Sequence, residues 1–317
     1  MSPIPLSDYE NPQIRNWLDL PRDVTSTILL KLGAIEILRS AQRVCTLWRR
    51  ICKDPLMWRA IDMHNSVDLY SMEHDLEIMC RHAIDRSCGQ LVDINVENFG
   101  TDDLLKYISN CTSHLRRLRL VSCSSISDQG LTEVAQKFPL LEELDISIGY
   151  LSKGPLEAIG RSCPGLKSLK FNKVAFRYPH IESDEEAFAI AETMPELRHL
   201  QLFGNKLTNS GLIAILNSCT HLESLDLRRC FNVDLEGNLG KRCDEQIKDL
   251  RRPNDPTNDY PFTDEEHDYG SFDEDYPLGI ADLDFLLDVD YDYYIGDVDY
   301  DHYIDDADDD APEPFYD

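Results

Sequence analysis

The chain lacks the patterns on which most catalysis is built. G-x-S-x-G, H-E-x-x-H, G-x-G-x-x-G and G-x-x-x-x-G-K are all missing. That removes the usual ways of placing a nucleophile, a metal or a nucleotide phosphate. The nine histidines are scattered. The chain is therefore expected to be no enzyme, with no catalytic residue, no metal and no cofactor. None of its 10 cysteines forms a C-x-x-C pair, the spacing a zinc site favours. Cys80, His82 and Cys88 lie close in sequence but read as packing residues. No apolar run approaches the ~20 residues of a membrane span. The opening stretch, MSPIPLSDYENPQIRNW, has neither the basic nor the apolar region of a secretory signal. A reducing compartment is expected, nucleus or cytoplasm, with free thiols. Basic residues are the scarcer charge, 31 against 59 acidic. A nucleic-acid surface needs a concentrated basic face, so neither nucleic acid nor membrane is expected as a partner.

The acidity is concentrated at one end. Residues 250–317 hold 24 acidic groups against only Arg251 and Arg252, out of a net charge of −28. From Asn254 on, Asp and Tyr dominate, and Tyr291-Asp-Tyr-Tyr-Ile-Gly-Asp returns nine residues later as Tyr300-Asp-His-Tyr-Ile-Asp-Asp. Such charge density opposes collapse, and a disordered tail is expected over 253–317. Asp288, Asp290 and Asp292 begin like a calcium loop, but Tyr293 stands where that loop needs glycine. The acidic run reads as solvated. Leu278, Ile280, Leu283, Phe285, Leu286 and Leu287 form an apolar island within it. The tail is expected to serve solubility; the sharper alternative has the island docking a basic partner or folding back on Arg117 and Arg119.

The organising stretch runs from Leu20 to Trp58. Leu20-Pro21 opens a helix, and Val24, Ile28, Leu29 and Leu32 recur on it at helical spacing. Gly33 stops it. A second helical run from about Ile35 carries two apolar stripes: Leu38, Ala41, Cys45, Trp48 and Cys52, and Ile37, Val44, Leu47 and Ile51. So short a unit has too little interior to bury both stripes, which implies a second neighbour besides its own chain. Leu20-Pro21, Ile28-Leu29, Leu32, Val44-Cys45, Trp48-Arg49, Asp54-Pro55 and Trp58 together resemble an F-box, in unbroken order over about 40 residues. The resemblance implies docking to the Skp-like adaptor of SCF ubiquitin ligases through Leu20, Pro21, Val24, Ile28, Leu29, Leu32 and Val44.

A repeat follows. Its cores begin at Leu91, Leu115, Leu141, Leu166, Leu197 and Leu222, separated by 24, 26, 25, 31 and 25 residues. Each reads L-x-x-[LI]-x-[hydrophobic], the leucine-rich-repeat signature. Helices are predicted between them over 102–109, 129–137, 156–161, 184–192 and 210–217, with Ser183 and Glu186 as a capping box. Cys88, Cys111, Cys163 and Cys219 precede cores at equivalent positions, and Cys123 and Cys230 follow them, so these thiols are expected to pack. Residues 58–63 alternate like a strand that covers the open end. Leu235, Leu239 and Cys243 suggest a last helix, and Ile247–Leu250 a stub of a seventh core.

The arrangement resembles plant F-box/LRR-repeat proteins. The expected fold is α/β: an N-terminal helical F-box, a short leucine-rich-repeat solenoid and a disordered acidic tail. The boundaries are a leader over 1–16, the F-box over 17–62, the solenoid with its caps over 63–252 and the tail over 253–317. By resemblance, the chain would be the substrate-recognition subunit of an SCF ligase. Cullin and RING subunits would be reached through the adaptor, leading to ubiquitination and degradation of an unknown protein target. The alternative is a scaffold that binds the adaptor without ubiquitination. Residues alternating with the core leucines should face the concave surface. They supply the candidate target site: Arg117, Arg119, Glu143, Asp145, Lys170, His199, Gln201, Asp226 and Arg228. Glu97, Val121, Ser147, Asn172 and Phe203 are expected to be exposed beside them. Phe176, Tyr178 and His180, in the longest interval, are either exposed anchors or cover for a turn.

Overall fold

The computed structural model describes residues 17–64, 73–173 and 181–262. The leader, the loop with Phe176, Tyr178 and His180, and the tail from residue 263 with its apolar island and Asp288, Asp290 and Asp292 lie outside the described residues. The chain forms two compact units, Met1–Pro261 and Phe262–Asp317. All the described helices and strands belong to the first unit.

Three short helices open it: α1 (Arg22–Leu30), α2 (Ala34–Arg39) and α3 (Thr46–Cys52). Pro21 caps α1 in an extended conformation, and its carbonyl accepts from both the Thr25 amide and the Thr25 hydroxyl. Gly33, at φ 80°, turns the chain between α1 and α2. The second helical run is not one helix. It breaks into α2, a 3-10 turn at Ala41–Arg43, and α3. Cys45 makes the break: its backbone is extended, and its sulfur accepts from the Trp48 amide at 3.4 Å to cap α3. The break folds the stripes inward, so Ile37, Leu38, Ala41, Ile51 and Cys52 are buried together.

Then β1 (Ala60–Met63) and α4 (Glu73–Arg86) start a regular alternation. It continues as β2 (Asp93–Glu97), α5 (Asp102–Cys111), β3 (Arg117–Val121), α6 (Asp128–Val134), β4 (Glu143–Ser147) and α7 (Lys153–Ser162). It ends with β5 (Ser168–Asn172), α8 (Glu185–Thr193), β6 (His199–Gln201), α9 (Asn209–Ser218), β7 (Ser224–Asp226), α10 (Asn238–Gln246) and β8 (Asp249–Arg251). The eight strands are all parallel and lie in sequence order. Leu118, Leu144, Leu169, Leu200, Leu225 and Leu250 stand in register across the sheet. The predicted cover strand is β1 and the predicted stub is β8, so both sheet edges are closing strands.

Two devices lock successive repeats. Beyond the strands, Asn98, Ser122, Ile148, Gly204 and Arg229 all take positive φ. Their amides bond to Val121, Ser147, Asn172, Arg228 and Pro253 carbonyls of the next repeat at 2.9–3.0 Å. Only one of the five is glycine; the ladder bond holds the others in a conformation that costs L-residues energy. At the helix starts, Thr101, Ser127, Ser152 and Thr208 cap α5, α6, α7 and α9. Each cap hydroxyl donates to an acid of the preceding repeat: Glu77, Asp102, Asp128 and Asp184 respectively. The capping box at Ser183 does not form as expected. Asp184 is the cap residue of α8 without a side-chain cap bond, because its carboxylate is held by Thr208 and Gly211 of the next repeat.

The thiols pack, with exceptions. Cys123, Cys163, Cys219 and Cys230 are buried and donate to carbonyls of the preceding repeat at Val96, Phe138, Met194 and Leu202. Burial pushes the Cys80 thiol up to about 12 and those of Cys123, Cys163 and Cys219 up to about 11. They stay neutral, apolar fillers. Cys88 is exposed and Cys111 half-buried. Cys80 is buried while His82 is exposed, so the pair does not share a face.

The helical unit and the solenoid share one core. Trp58, 1% exposed, donates to the Cys52 carbonyl at 2.8 Å. The Arg86 guanidinium of α4 lies 5.4 Å over the Trp58 ring and donates to Gln42. The near end of the expected tail is corrected: Pro253 and Tyr260 are buried against the solenoid.

Candidate protein-docking surfaces

The first surface lies on the helical unit. Val24 and Ile28 are one helical turn apart on α1, with Leu20 a turn before and Leu32 a turn after. Pro21, Val24, Leu32 and Val44 are exposed, and Leu20 and Ile28 half-buried. Val44, an aliphatic residue, is 61% exposed. Leu29 is corrected: it is 0% exposed and belongs to the interior. One position along from Ile28, it is turned about 100° round the same helix and faces the interior. Trp17 was not anticipated; it is 59% exposed and stacks edge-on against Trp48 at 6.4 Å. Arg22 reaches Asp54 at 2.8 Å and ties the start of α1 to the turn before Trp58.

The second surface is the concave face of the sheet. Three cross-strand rows run along it. The outermost starts with Asp93, Arg117, Glu143, Ser168, His199 and Ser224. Arg117, Glu143 and His199 there are exposed. Arg117 is not isolated: its Nε meets Asp93 at 2.8 Å, which holds its pKa above the usual value. In the middle row, Arg119, Asp145, Lys170, Gln201 and Asp226 follow Asn95. Lys170 is exposed and Arg119 and Gln201 are half-buried, but Asp145 and Asp226 are buried. Asp145 draws in Arg119 at 3.4 Å and Lys170 at 3.5 Å, and Asp226 accepts from Gln201 at 2.8 Å.

The third row overturns the expectation of exposure. Glu97, Val121, Ser147, Asn172, Phe203 and Arg228 are all buried. Asn172 donates to Ser147, which donates to Asp145; Asn172 also accepts from the Phe203 amide. Glu97 meets His64. Arg228 grips Asp226 through Nε and Nη2, at 3.0 and 2.8 Å. Polar side chains on this row are held by neighbours in the same and the middle row and by His64, so alternation alone misjudges their exposure.

A fourth row was missed. Arg116, Glu142, Lys167, Arg198, Glu223 and Lys248 occupy the position just before each strand from β3 to β8. Glu142 bonds Arg116 and Lys167, and Glu223 bonds Arg198 and Lys248. Reading the repeats column by column shows these two basic–acidic–basic triplets; reading along the chain does not. Among the described residues there is no group of three or more potential metal ligands and no helix long and apolar enough to cross a membrane.

A small helical unit with an unpartnered apolar face, joined through a shared core to a stack of parallel repeats, defines a protein-docking module. The family described as F-box-like matches residues 17–64. The leucine-rich-repeat family matches 112–135, 194–216 and 218–237. The F-box protein SKIP19 of Arabidopsis thaliana is 55% identical over 80% of this chain and 83% of its own length. The putative F-box/LRR-repeat protein 23 of the same plant is 54% identical over 80% of this chain and 57% of its own. The chain belongs to the plant F-box/LRR-repeat family, whose general role is that of a non-catalytic SCF substrate adaptor. Among solved structures, a tropomodulin C-terminal domain of Caenorhabditis elegans covers 46% of this chain at 16% identity and TM-score 0.35, too distant to carry any argument.

Proposed function

We propose that this chain brings one protein target to a cullin–RING ubiquitin ligase in the nucleus or cytoplasm. A Skp-like adaptor seats on Leu20, Pro21, Val24, Ile28, Leu32 and Val44, and the target on the concave face. The observation that carries this reading is the shared core through Trp58 and Arg86. It makes two separate docking faces parts of one body, so holding one partner fixes the position of the other. The chain then works by effective concentration. Nucleic acid and membrane have no part in it.

The double variant Val24→Asp/Val44→Asp tests the first face. Both side chains are exposed, so the cost in stability is expected to stay below about 1 kcal/mol. Adaptor and cullin should no longer co-purify, while the melting temperature holds. Leu29→Ala should instead lose about 2–5 kcal/mol of stability. Full adaptor binding by the folded double variant would refute the assignment; adaptor without cullin would favour a scaffold.

A further inference from the structure

The C-terminal end of the described chain lies on the concave face and occupies a slot there. After β8 the backbone turns back. The Pro256 carbonyl accepts from Arg228 Nη1 at 3.1 Å. The Asp259 carboxylate bonds the same Nη1 and lies 3.5 Å from Arg251 Nη2. The Tyr260 ring then stacks flat on Phe203, with centroids 3.7 Å apart and planes 4° apart. Its hydroxyl end lies among Ser147, Asp145 and Asp226. The segment so crosses from β7 to the end of β4, about 14 Å at the usual strand spacing. A Thr257-to-Tyr260 turn, with the Tyr260 amide on the Thr257 carbonyl at 2.9 Å, presents the two side chains side by side.

The receiving side is held by bonds within the solenoid. Asp226 clamps the Arg228 guanidinium from two sides, leaving Nη1 aimed at the slot. Arg228 is 4% exposed, Phe203 and Tyr260 5%. A rigid guanidinium selects a carboxylate, a flat aromatic floor selects a ring, and the polar groups of Ser147, Asp145 and Asp226 around its far end favour a phenol over a phenyl. The ligand class is a carboxylate followed directly by a phenol, which in a peptide is Asp-Tyr. The chain carries that pair six more times, at Asp8-Tyr9, Asp268-Tyr269, Asp275-Tyr276, Asp290-Tyr291, Asp292-Tyr293 and Asp299-Tyr300.

We infer that the slot formed by Arg228, Phe203 and Ser147 is a receptor for an Asp-Tyr peptide of the target, and that Asp259-Tyr260 is a resident occupant the target must displace. The inference rests on the concave face being the target site. Asp259-Tyr260 competes in cis, where effective concentration is high. Only a target that offers the pair tightly or repeatedly gains the slot.

The test uses the full-length chain and a fluorescent peptide, Thr-Asn-Asp-Tyr-Pro-Phe. In one variant all seven tyrosines of the pairs, Tyr260→Ser among them, are replaced. It should bind the peptide at least tenfold more tightly than the parent chain. Adding Phe203→Leu should abolish the gain, and a peptide with Asn-Ala in place of Asp-Tyr should not bind. If the sevenfold variant melts early, Asp259→Asn serves instead; it keeps the ring stack, loses the ion pair with Arg228 and should also bind more tightly than the parent. No gain in either, or equal binding of the Asn-Ala peptide, overturns the slot. Proximity labelling separates this from the broader reading. Targets lost on Arg117→Glu but unmoved by every slot variant would leave the concave face a target site and remove the Asp-Tyr receptor alone.

Discussion

At Gly130 the absence of a side chain is a contact requirement. A Cβ built there would lie 1.9 Å from Oδ1 of Asp102, the carboxylate that receives the amide and hydroxyl of Ser127. Gly211 stands in the same relation to Asp184, with a Cβ at 2.4 Å. In both, the acid of one repeat enters the first turn of the next helix and nothing larger than hydrogen leaves room for it. Gly130→Ala should cost about 1–3 kcal/mol, as overpacking does. Asp102→Ala should cost about 1 kcal/mol for its lost bonds. The two share one space, so the double variant should lose less than the sum of the singles. Thermal or urea melts of the three chains check this; strict additivity would show that the carboxylate is not what the glycine accommodates.

Among the elements, the segment after β8 departs furthest from what its composition implies. Its residues match the acidic tail, yet Tyr260 is buried and Arg228 draws on Asp259 and the Pro256 carbonyl. A chain ending at Arg252 leaves Phe203 uncovered and Arg228 with Asp226 alone. A chain ending at Phe262 keeps the segment. The shorter chain should be less stable by about 2 kcal/mol, the order of one buried aromatic side chain. At this size that lowers the melting temperature by about 4–8 °C. Equal melting temperatures would mean that the segment rests on the solenoid without stabilising it.

For the molecule as a whole, the charged rows set a pH dependence. A hydrogen bond from Lys167 holds Glu142 below its usual 4.5, and Lys248 does the same for Glu223. Arg228 holds Asp259 below its usual 3.8. A carboxylate whose folded pKa is depressed contributes stability that is complete above its unfolded value and is lost as pH falls through the folded one. The melting temperature should therefore be flat from pH 7 down to about 5 and decline below 4.5. These groups are solvent-exposed, so each contribution is small and screened by salt. Lys167→Met with Lys248→Met should flatten the acid limb; a limb of unchanged slope would assign it to other carboxylates.

Periodicity alone determined the architecture. L-x-x-L-x-L recurs because only one face of each short strand is covered by a helix, and the same physics that writes the pattern allows it to be read back. The cover strand at Ala60–Met63, the last strand at Asp249–Arg251 and the order of all between were legible for that reason. So was the F-box, whose leucine, proline and tryptophan positions are local. What only the tertiary structure decided is which polar and apolar groups are left for a partner. Leu29 turns inward because Cys45 breaks the second helical run and folds its stripes behind α1. Asp145, Asp226 and Arg228 leave the surface because polar groups on parallel strands about 4.8 Å apart satisfy one another across repeats. Tyr260 leaves the tail because a ring nearly sixty residues away offers it a face. Such pairings join residues far apart in sequence, where no local pattern records them.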